Sequence, residues 1–112
     1  MTIINTLTIL GSGGADNLQP TTDSTTSAFV INAFGGADYI EGGNFNDRIN
    51  AGAGADTVYG GNGNDRLNTW DADLYGGNGN DDLKTEYGSA YGGAGNDTLF
   101  ADTQRGGAGD DT

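Results

Sequence analysis

Aspartates recur along much of this sequence at a fixed distance from glycines on one side and from a large apolar residue on the other. The pattern is Gly-Gly-x-Gly-x-Asp-x-U-x, in which U is large and apolar, and it is complete at residues 60–68, 76–84 and 92–100. Aspartate carboxylates, and backbone carbonyls that glycine leaves free to turn toward a ligand, are the oxygen donors that hard cations such as calcium prefer. The residue types and their spacing therefore predict a row of cation sites.

Incomplete copies of the same pattern surround the three complete ones. They occupy residues 11–19, 33–41, 42–50, 51–59 and 106–112. The copy at 42–50 has Phe45 where the fourth-position glycine belongs. The aspartate keeps its phase through all of these copies, and the apolar residue keeps its phase through the first four, which a disordered glycine-rich linker would not show.

The composition excludes several other kinds of function. The chain of 112 residues has 16 acidic and 4 basic residues, a net charge of −12, and no cysteine or histidine. This balance argues against nucleic acid and membrane insertion, and the lack of cysteine and histidine excludes disulfides and histidine-based zinc sites. The paired carboxylates repeat along the chain, whereas an active site occurs once. They therefore indicate metal binding, and we do not expect an enzyme.

The chain also lacks the means to fold on apolar packing alone. Hydrophobic residues make up 34% of it, and 22 residues are glycine, which loses more conformational freedom on folding than any other residue. A small domain without disulfides needs another source of stability, and a bound metal is the one that this sequence offers.

The repeat predicts its own architecture. Each glycine–aspartate segment favours a turn and each x-U-x segment a short strand, so that two nonapeptides make one coil of a flattened helix. The coils stack about 4.8 Å apart. The predicted inward-facing column consists of Ile40, Ile49, Val58, Leu67, Leu74, Leu83, Ala90 and Leu99. The fold class is therefore all-β, a parallel β-roll of short strands and turns rich in glycine and aspartate.

The period shortens along the chain. Seven residues separate the complete repeats at 69–75 and again at 85–91, and five follow at 101–105. The complete turns from residue 60 onward are therefore expected on one edge of the roll, with shorter turns on the opposite edge. Residues 1–32 are expected to form strands and a loop that close the roll, and residues 33–112 to form the repeats.

These repeats resemble the RTX (repeats-in-toxin) calcium-binding nonapeptide family, well over residues 33–112 and loosely over 11–32. The resemblance implies a flattened right-handed β-solenoid that binds roughly three to five calcium ions, each between the turns of successive coils. One turn would supply the carbonyls at positions 2 and 4 and the aspartate at position 6. The next turn would supply the carbonyls at positions 1 and 3 and its own aspartate.

Carried onto this sequence, the family pattern implies three regular sites. They comprise Gly61, Gly63 and Asp65 with Gly76, Asn78 and Asp81; Gly77, Gly79 and Asp81 with Gly92, Ala94 and Asp97; and Gly93, Gly95 and Asp97 with Gly106, Ala108 and Asp111. Two further sites depart from the pattern. They comprise Gly43, Phe45 and Asp47 with Gly60, Asn62 and Asp65; and Phe34, Gly36 and Asp38 with Ala51, Ala53 and Asp56.

The functional hypothesis is a calcium-binding module that folds on binding calcium and has a structural role outside the cell. Two alternatives stay open. The chain could be the repeat module of a type I-secreted enzyme or toxin, or the protomer of a calcium-dependent fibre, surface layer or adhesin that associates end to end. Tyr59, Tyr75 and Tyr91 precede successive turns, and we expect an outward ladder of stacked rings, with a glycan-binding or roll-binding surface as the alternative.

Overall fold

The computed structural model describes residues 5–18, 27–44, 46–109 and 112. These residues form nine β-strands in one sheet. The strands are β1 (Asn5–Leu10), β2 (Asn17–Leu18), β3 (Ser27–Asn32), β4 (Tyr39–Glu41), β5 (Arg48–Asn62), β6 (Arg66–Asn78), β7 (Asp82–Ala94), β8 (Thr98–Phe100) and β9 (Thr103–Ala108). No described residue belongs to a helix long and apolar enough to cross a membrane.

Every pairing between these strands is parallel, as expected of a chain that winds in one direction. The strands form a β-solenoid of about five turns, which confirms the predicted fold class. The offset between paired residues measures the length of each coil. It is 22 residues between β1 and β3, 18 from Arg48 to Arg66, 16 from Arg66 to Asp82, and 14 from Ser89 to Thr103. The predicted shortening of the coil is therefore confirmed.

The apolar residue of each repeat points into the roll. All eight residues of the predicted inward column are buried, from Ile40, which is fully buried, to Leu99, which is 8% exposed. Ile31, Ala33, Ala51 and Ala72 complete this core. The roll measures 37 × 35 × 15 Å, so its core is thin and consists mainly of the one apolar residue that each repeat points inward.

The tyrosine ladder on the outer face is confirmed and extends further than predicted. Tyr59 and Tyr75 stack with ring centroids 4.7 Å apart, and Tyr75 and Tyr91 with centroids 5.0 Å apart. Tyr39 adds a tilted contact with Tyr59 at 5.7 Å, and its hydroxyl donates to Glu41. The rings thus join successive coils on this face.

The long strands were not predicted. A strand of about three residues was expected in each half-coil, which holds only for β4 and β8. β5, β6 and β7 instead have 15, 13 and 13 residues. Coils of similar length place their turns in register, so parallel pairing continues around the corner, as where Gly61 pairs with Gly77 and Gly77 with Gly93.

The chain ends in a residue that pairs with the last short strand. The Thr112 N–H donates to the Asp97 carbonyl, and the Thr112 carbonyl accepts from the Leu99 N–H, both at 2.7 Å. Thr112 therefore lies beside β8, hydrogen-bonded to the backbone on both sides of Thr98. The predicted end-to-end association stays a prediction.

Candidate metal centre

The aspartates of the repeats lie in two rows, one along each edge of the roll. The first edge holds the turns at 60–65, 76–81 and 92–97, together with residues 42–44, 46–47 and 106–109, and the second edge holds the turns at 11–16, 33–38 and 51–56. On the first edge the described aspartates are Asp47, Asp65, Asp81 and Asp97, each at most 2% exposed. The parallel register of β5, β6 and β7 places them one coil apart.

Backbone hydrogen bonds fix these carboxylates between the coils. The backbone N–H of each aspartate donates to Oδ1 of the aspartate one coil later. Asp47 donates to Asp65, Asp65 to Asp81 and Asp81 to Asp97, each at 2.8 Å. The second edge repeats this bond from Asp38 to Asp56 at 2.9 Å. The carboxylates therefore have one oxygen held by the backbone and the other directed elsewhere.

The second oxygen of several aspartates is buried without compensation. Oδ2 of Asp38, Asp65 and Asp81 accepts no hydrogen bond from any described residue. A buried polar atom that lacks a partner costs about 1–3 kcal/mol, and more when it is charged. Native proteins rarely tolerate such atoms, so a row of them indicates a ligand that supplies the missing positive charge.

Burial makes these groups reluctant to ionise in the absence of a cation. It raises the pKa of Asp65 to about 8, and the neighbouring charges of Asp47 and Asp81 act in the same direction. Burial likewise raises the pKa of Asp81 to about 6 and that of Asp56 to about 6. The row is thus arranged to favour a proton or a metal ion over an isolated negative charge.

Glycine at position 1 of the turns on the first edge leaves room beside Oδ2 of the aspartate. A Cβ atom on Gly60 would lie 2.6 Å from Asp65 Oδ2 and 2.8 Å from the Gly76 carbonyl oxygen, too close for a real side chain. The carboxylate of one turn and the position-1 carbonyl of the next turn therefore approach the same space, as the first regular site requires.

The same approach recurs along the first edge. A Cβ on Gly42 would meet Asp47 Oδ2 and the Gly60 carbonyl, and one on Gly76 would meet Asp81 Oδ2 and the Gly92 carbonyl. A Cβ on Gly92 would meet Asp97 Oδ2 and the Gly106 carbonyl. Four of the expected aspartate–carbonyl pairs are thus brought together. Phe45 and Asp111 lie outside the described residues.

The carbonyls at positions 2 and 3 are partly used between turns. The Gly43 carbonyl accepts the Asn62 N–H at 3.0 Å, the Phe34 carbonyl accepts the Ala53 N–H at 2.9 Å, and the Ala94 carbonyl accepts the Gly79 N–H at 2.9 Å. A carbonyl oxygen has two lone pairs, so each can still ligate a cation.

This donor set fits calcium. Within the described part of the chain, no three acidic side chains gather as a metal cluster, and the oxygens that approach each other here are carboxylate and backbone carbonyl oxygens. Calcium accepts six to eight oxygen ligands in flexible geometry, whereas magnesium requires a near-ideal octahedron and gives up its waters reluctantly. Buried carboxylates surrounded by carbonyls are therefore suited to the larger ion.

The asparagines at position 5 form a second ladder on the first edge, which the sequence analysis missed. The side-chain Oδ1 of Asn46 accepts the N–H of Asn64, that of Asn64 the N–H of Asn80, and that of Asn80 the N–H of Asn96, at 2.7–2.8 Å. The signal was present in the sequence, because position 5 is alanine on the second edge. Asparagine thus joins the turns of the first edge without metal.

The second edge follows the pattern only in part. Asp16 donates its N–H to Asp38 Oδ1 at 2.7 Å, so the aspartate row begins one turn earlier than the assigned sites. From residue 69 onward the turns are shorter, and threonine replaces aspartate inside them: Thr69 is 8% exposed and Thr85 is fully buried. Trp70 and Tyr87 are exposed on these shorter turns and contact each other edge to face at 5.7 Å.

Comparison with known proteins agrees with this geometry. The family model for the RTX calcium-binding nonapeptide repeat matches four copies, at residues 32–67, 73–88 and 89–105, which is more than half of the chain. No curated protein and no solved structure gives a significant match. The parallel β-solenoid, the buried aspartate rows and this match together show that the chain belongs to the RTX family and is a calcium-binding β-roll module.

Proposed function

We propose that calcium binding drives the folding of this module. The observation that carries the proposal is the row of buried carboxylates, of which Asp65 and Asp81 each hold an oxygen that no described residue satisfies. An ion that binds these oxygens binds only the folded chain, because the unfolded chain has no such site. Its binding free energy is then folding free energy.

The electrostatics of the row favour the same conclusion. Two carboxylates about 4.8 Å apart repel by roughly 1 kcal/mol in water and roughly 3–4 kcal/mol at an effective dielectric constant near 20. The first edge contains several such neighbours in succession. Their sum is comparable to the whole stability of a small domain, which is about 5–15 kcal/mol. A divalent cation between each pair replaces this repulsion with attraction.

We assign the calcium sites of the first edge to the space between successive turns. Asp65, with the carbonyls of Gly61 and Gly63, would hold an ion with Asp81 and the carbonyls of Gly76 and Asn78. The same arrangement one turn earlier uses Asp47, and one turn later Asp97. An interior aspartate then contributes to two ions, which would make the sites of one edge cooperative.

A role outside the cell is consistent with this dependence on calcium. RTX repeats are typically found in secreted proteins. Sites in extracellular modules have dissociation constants of about 10⁻⁴–10⁻³ M, which suits the calcium concentrations found there. Inside a cell, where calcium is scarce, such a chain would stay unfolded. The family is a structural calcium-binding repeat, so the proposed role of the module is structural and does not include catalysis.

Isothermal titration calorimetry with calcium tests the assignment of the sites. The wild-type chain is expected to bind roughly three to five ions, and Asp65→Asn fewer ions at lower affinity, because one carboxylate of two proposed sites is neutralised. Glu86→Gln, a substitution at an exposed acid, is the matched control and should leave the titration unchanged. An unchanged titration for Asp65→Asn would contradict the assigned sites.

A further inference from the structure

The second edge changes character between one coil and the next. Its turns at 33–38 and 51–56 carry a buried aspartate, as on the first edge. In the following coil Gly52 pairs with Thr69 and Asp56 pairs with Ala72, with two register shifts near Gly52. The next turn therefore offers no aspartate to the space beyond Asp56.

A threonine hydroxyl takes that space instead. Thr69 Oγ1 lies 3.2 Å from the Gly52 carbonyl oxygen and 3.4 Å from Asp56 Oδ2, so both oxygens are within hydrogen-bonding distance of its hydroxyl. These are the position-2 carbonyl and the position-6 carboxylate, which in the other turns are assigned to an ion. By contrast, Oδ2 of Asp65 and of Asp81 accepts no hydrogen bond from the described residues.

We propose that Thr69 ends the calcium row of the second edge by donating its hydroxyl proton to the two oxygens that a further ion would need. This inference rests on the proposed function. Its physical basis is that a hydroxyl proton partly compensates a buried carboxylate and a carbonyl without bringing in a charge. Asp56 is then a terminal aspartate that serves one ion, whereas Asp81 serves two.

The following coil continues the neutral arrangement. Thr85 Oγ1 donates to the Tyr87 carbonyl at 2.8 Å and approaches the Trp70 carbonyl at 3.3 Å, with no carboxylate among its partners. Threonine hydroxyls therefore hold the turns of the second edge from residue 69 onward. The longer row of calcium sites then lies on the first edge. The two edges should therefore respond differently when calcium is removed.

Three variants separate this role from simple packing. Thr69→Ala removes the hydroxyl and vacates its space, Thr69→Ser keeps the hydroxyl, and Thr85→Ala removes a hydroxyl that has no carboxylate partner. The measurement is the free energy of unfolding as a function of the logarithm of calcium concentration, whose slope counts the ions taken up on folding. Thr69→Ala should steepen this slope by about one ion, because the vacated space lets calcium reach both oxygens. Thr69→Ser should match the wild type, and Thr85→Ala should lower stability at an unchanged slope.

An unchanged slope for Thr69→Ala overturns the proposal, whether or not the variant is less stable. If this variant does not fold, native mass spectrometry of two others gives the answer. Asp56→Asn should lose about one ion and Asp81→Asn about two, as expected of a terminal and an interior aspartate. Loss of two ions from Asp56→Asn would show an ion beyond Asp56 and overturn the proposal. A wild-type slope of zero would instead contradict the proposed function itself.

Discussion

Asp81 Oδ1 accepts the backbone N–H of Asp65 from the preceding coil at 2.8 Å, while Oδ2 of both residues is buried and accepts no hydrogen bond from the described residues. One oxygen therefore binds the coils to each other, and the other is left for a cation. Because the two oxygens of one carboxylate have these different roles, the aspartate of the repeat contributes both to the stacking of the coils and to cation binding.

Replacing Asp81 should weaken calcium binding more than replacing Asp38. Both side chains are buried, and Oδ1 of each accepts an aspartate N–H from the coil before, so Asp81→Ala and Asp38→Ala remove comparable protein contacts, each worth about 1–3 kcal/mol. Asp81, however, is assigned to two ions and Asp38 to one. The calcium midpoint of folding, followed by far-UV circular dichroism, should rise further for Asp81→Ala. Equal shifts, or a larger shift for Asp38→Ala, would contradict the assignment of the first edge as the longer row.

Acidification should favour the folded state when calcium is absent. Burial raises the pKa of Asp65 to about 8 and that of Asp81 to about 6, whereas an unfolded aspartate titrates near 3.9. The folded state therefore binds more protons, so its extra stability is complete below the unfolded pKa and is lost as the pH rises through the folded pKa values. In chelator, the β-sheet signal should be larger at about pH 5 than at about pH 8.

Asp65→Asn is the control for this effect. The amide imitates the protonated carboxyl, so in chelator the variant should be more stable than the wild type at about pH 8 and less dependent on pH. A wild-type signal in chelator that grows as the pH rises would mean that these carboxylates are not buried as described.

The asparagine ladder should stabilise the roll whether or not calcium is limiting. Asn80→Ala removes an acceptor of the Asn96 N–H at 2.8 Å, and the loss of such a bond costs about 0.5–1.5 kcal/mol. Asn78→Ala is the matched control two residues away. Its exposed side chain contacts Asn62 at 3.0 Å, and alanine already occupies the equivalent position at Ala94. Thermal unfolding in saturating calcium should show the larger decrease for Asn80→Ala, and equal decreases would argue against the ladder.

Phe34→Gly should stabilise the second edge. Phe34 is 55% exposed and has a φ of 75°, at the turn position where Gly61 and Gly77 have a φ of 96°. A left-handed backbone costs a residue with a side chain about 1–2 kcal/mol, and glycine adopts it freely at an entropic cost of about 0.5–1 kcal/mol. The expected net gain is small, up to about 1 kcal/mol, and is measured by chemical denaturation in calcium. Phe100→Gly, at a similarly exposed strand position, should instead destabilise, and a marked loss for Phe34→Gly would show that the ring makes contacts that its exposure hides.

The sequence predicted those features that depend on the phase of the repeat. Within one repeat, Asp65 belongs to the turn and Leu67, two residues later, to an inward-facing strand position. This assignment does not depend on which coil pairs with them. Counting residues between repeats then assigned each turn to an edge and gave the shortening coil. These inferences need only the local period, which the sequence displays directly.

The features that it did not predict depend on contacts between coils. The Asn96 N–H donates to Asn80 Oδ1, 16 residues away. The Thr69 hydroxyl lies against Asp56, 13 residues away. Similarly, the long strands arise because the corners of successive coils come into register. Such contacts follow from the exact stacking of the turns. The recurrence of asparagine at position 5 marks the residues that form the ladder, but their hydrogen-bond partners depend on that stacking.

Far-UV circular dichroism during a calcium titration tests the central claim most directly. A chain freed of calcium by chelator at neutral pH should show little β-sheet signal, and millimolar calcium should restore it cooperatively, because ligation of the buried carboxylates supplies folding free energy. Magnesium at the same concentration should restore little of it. A chelated sample whose far-UV signal equals that of the calcium-loaded sample would contradict the account.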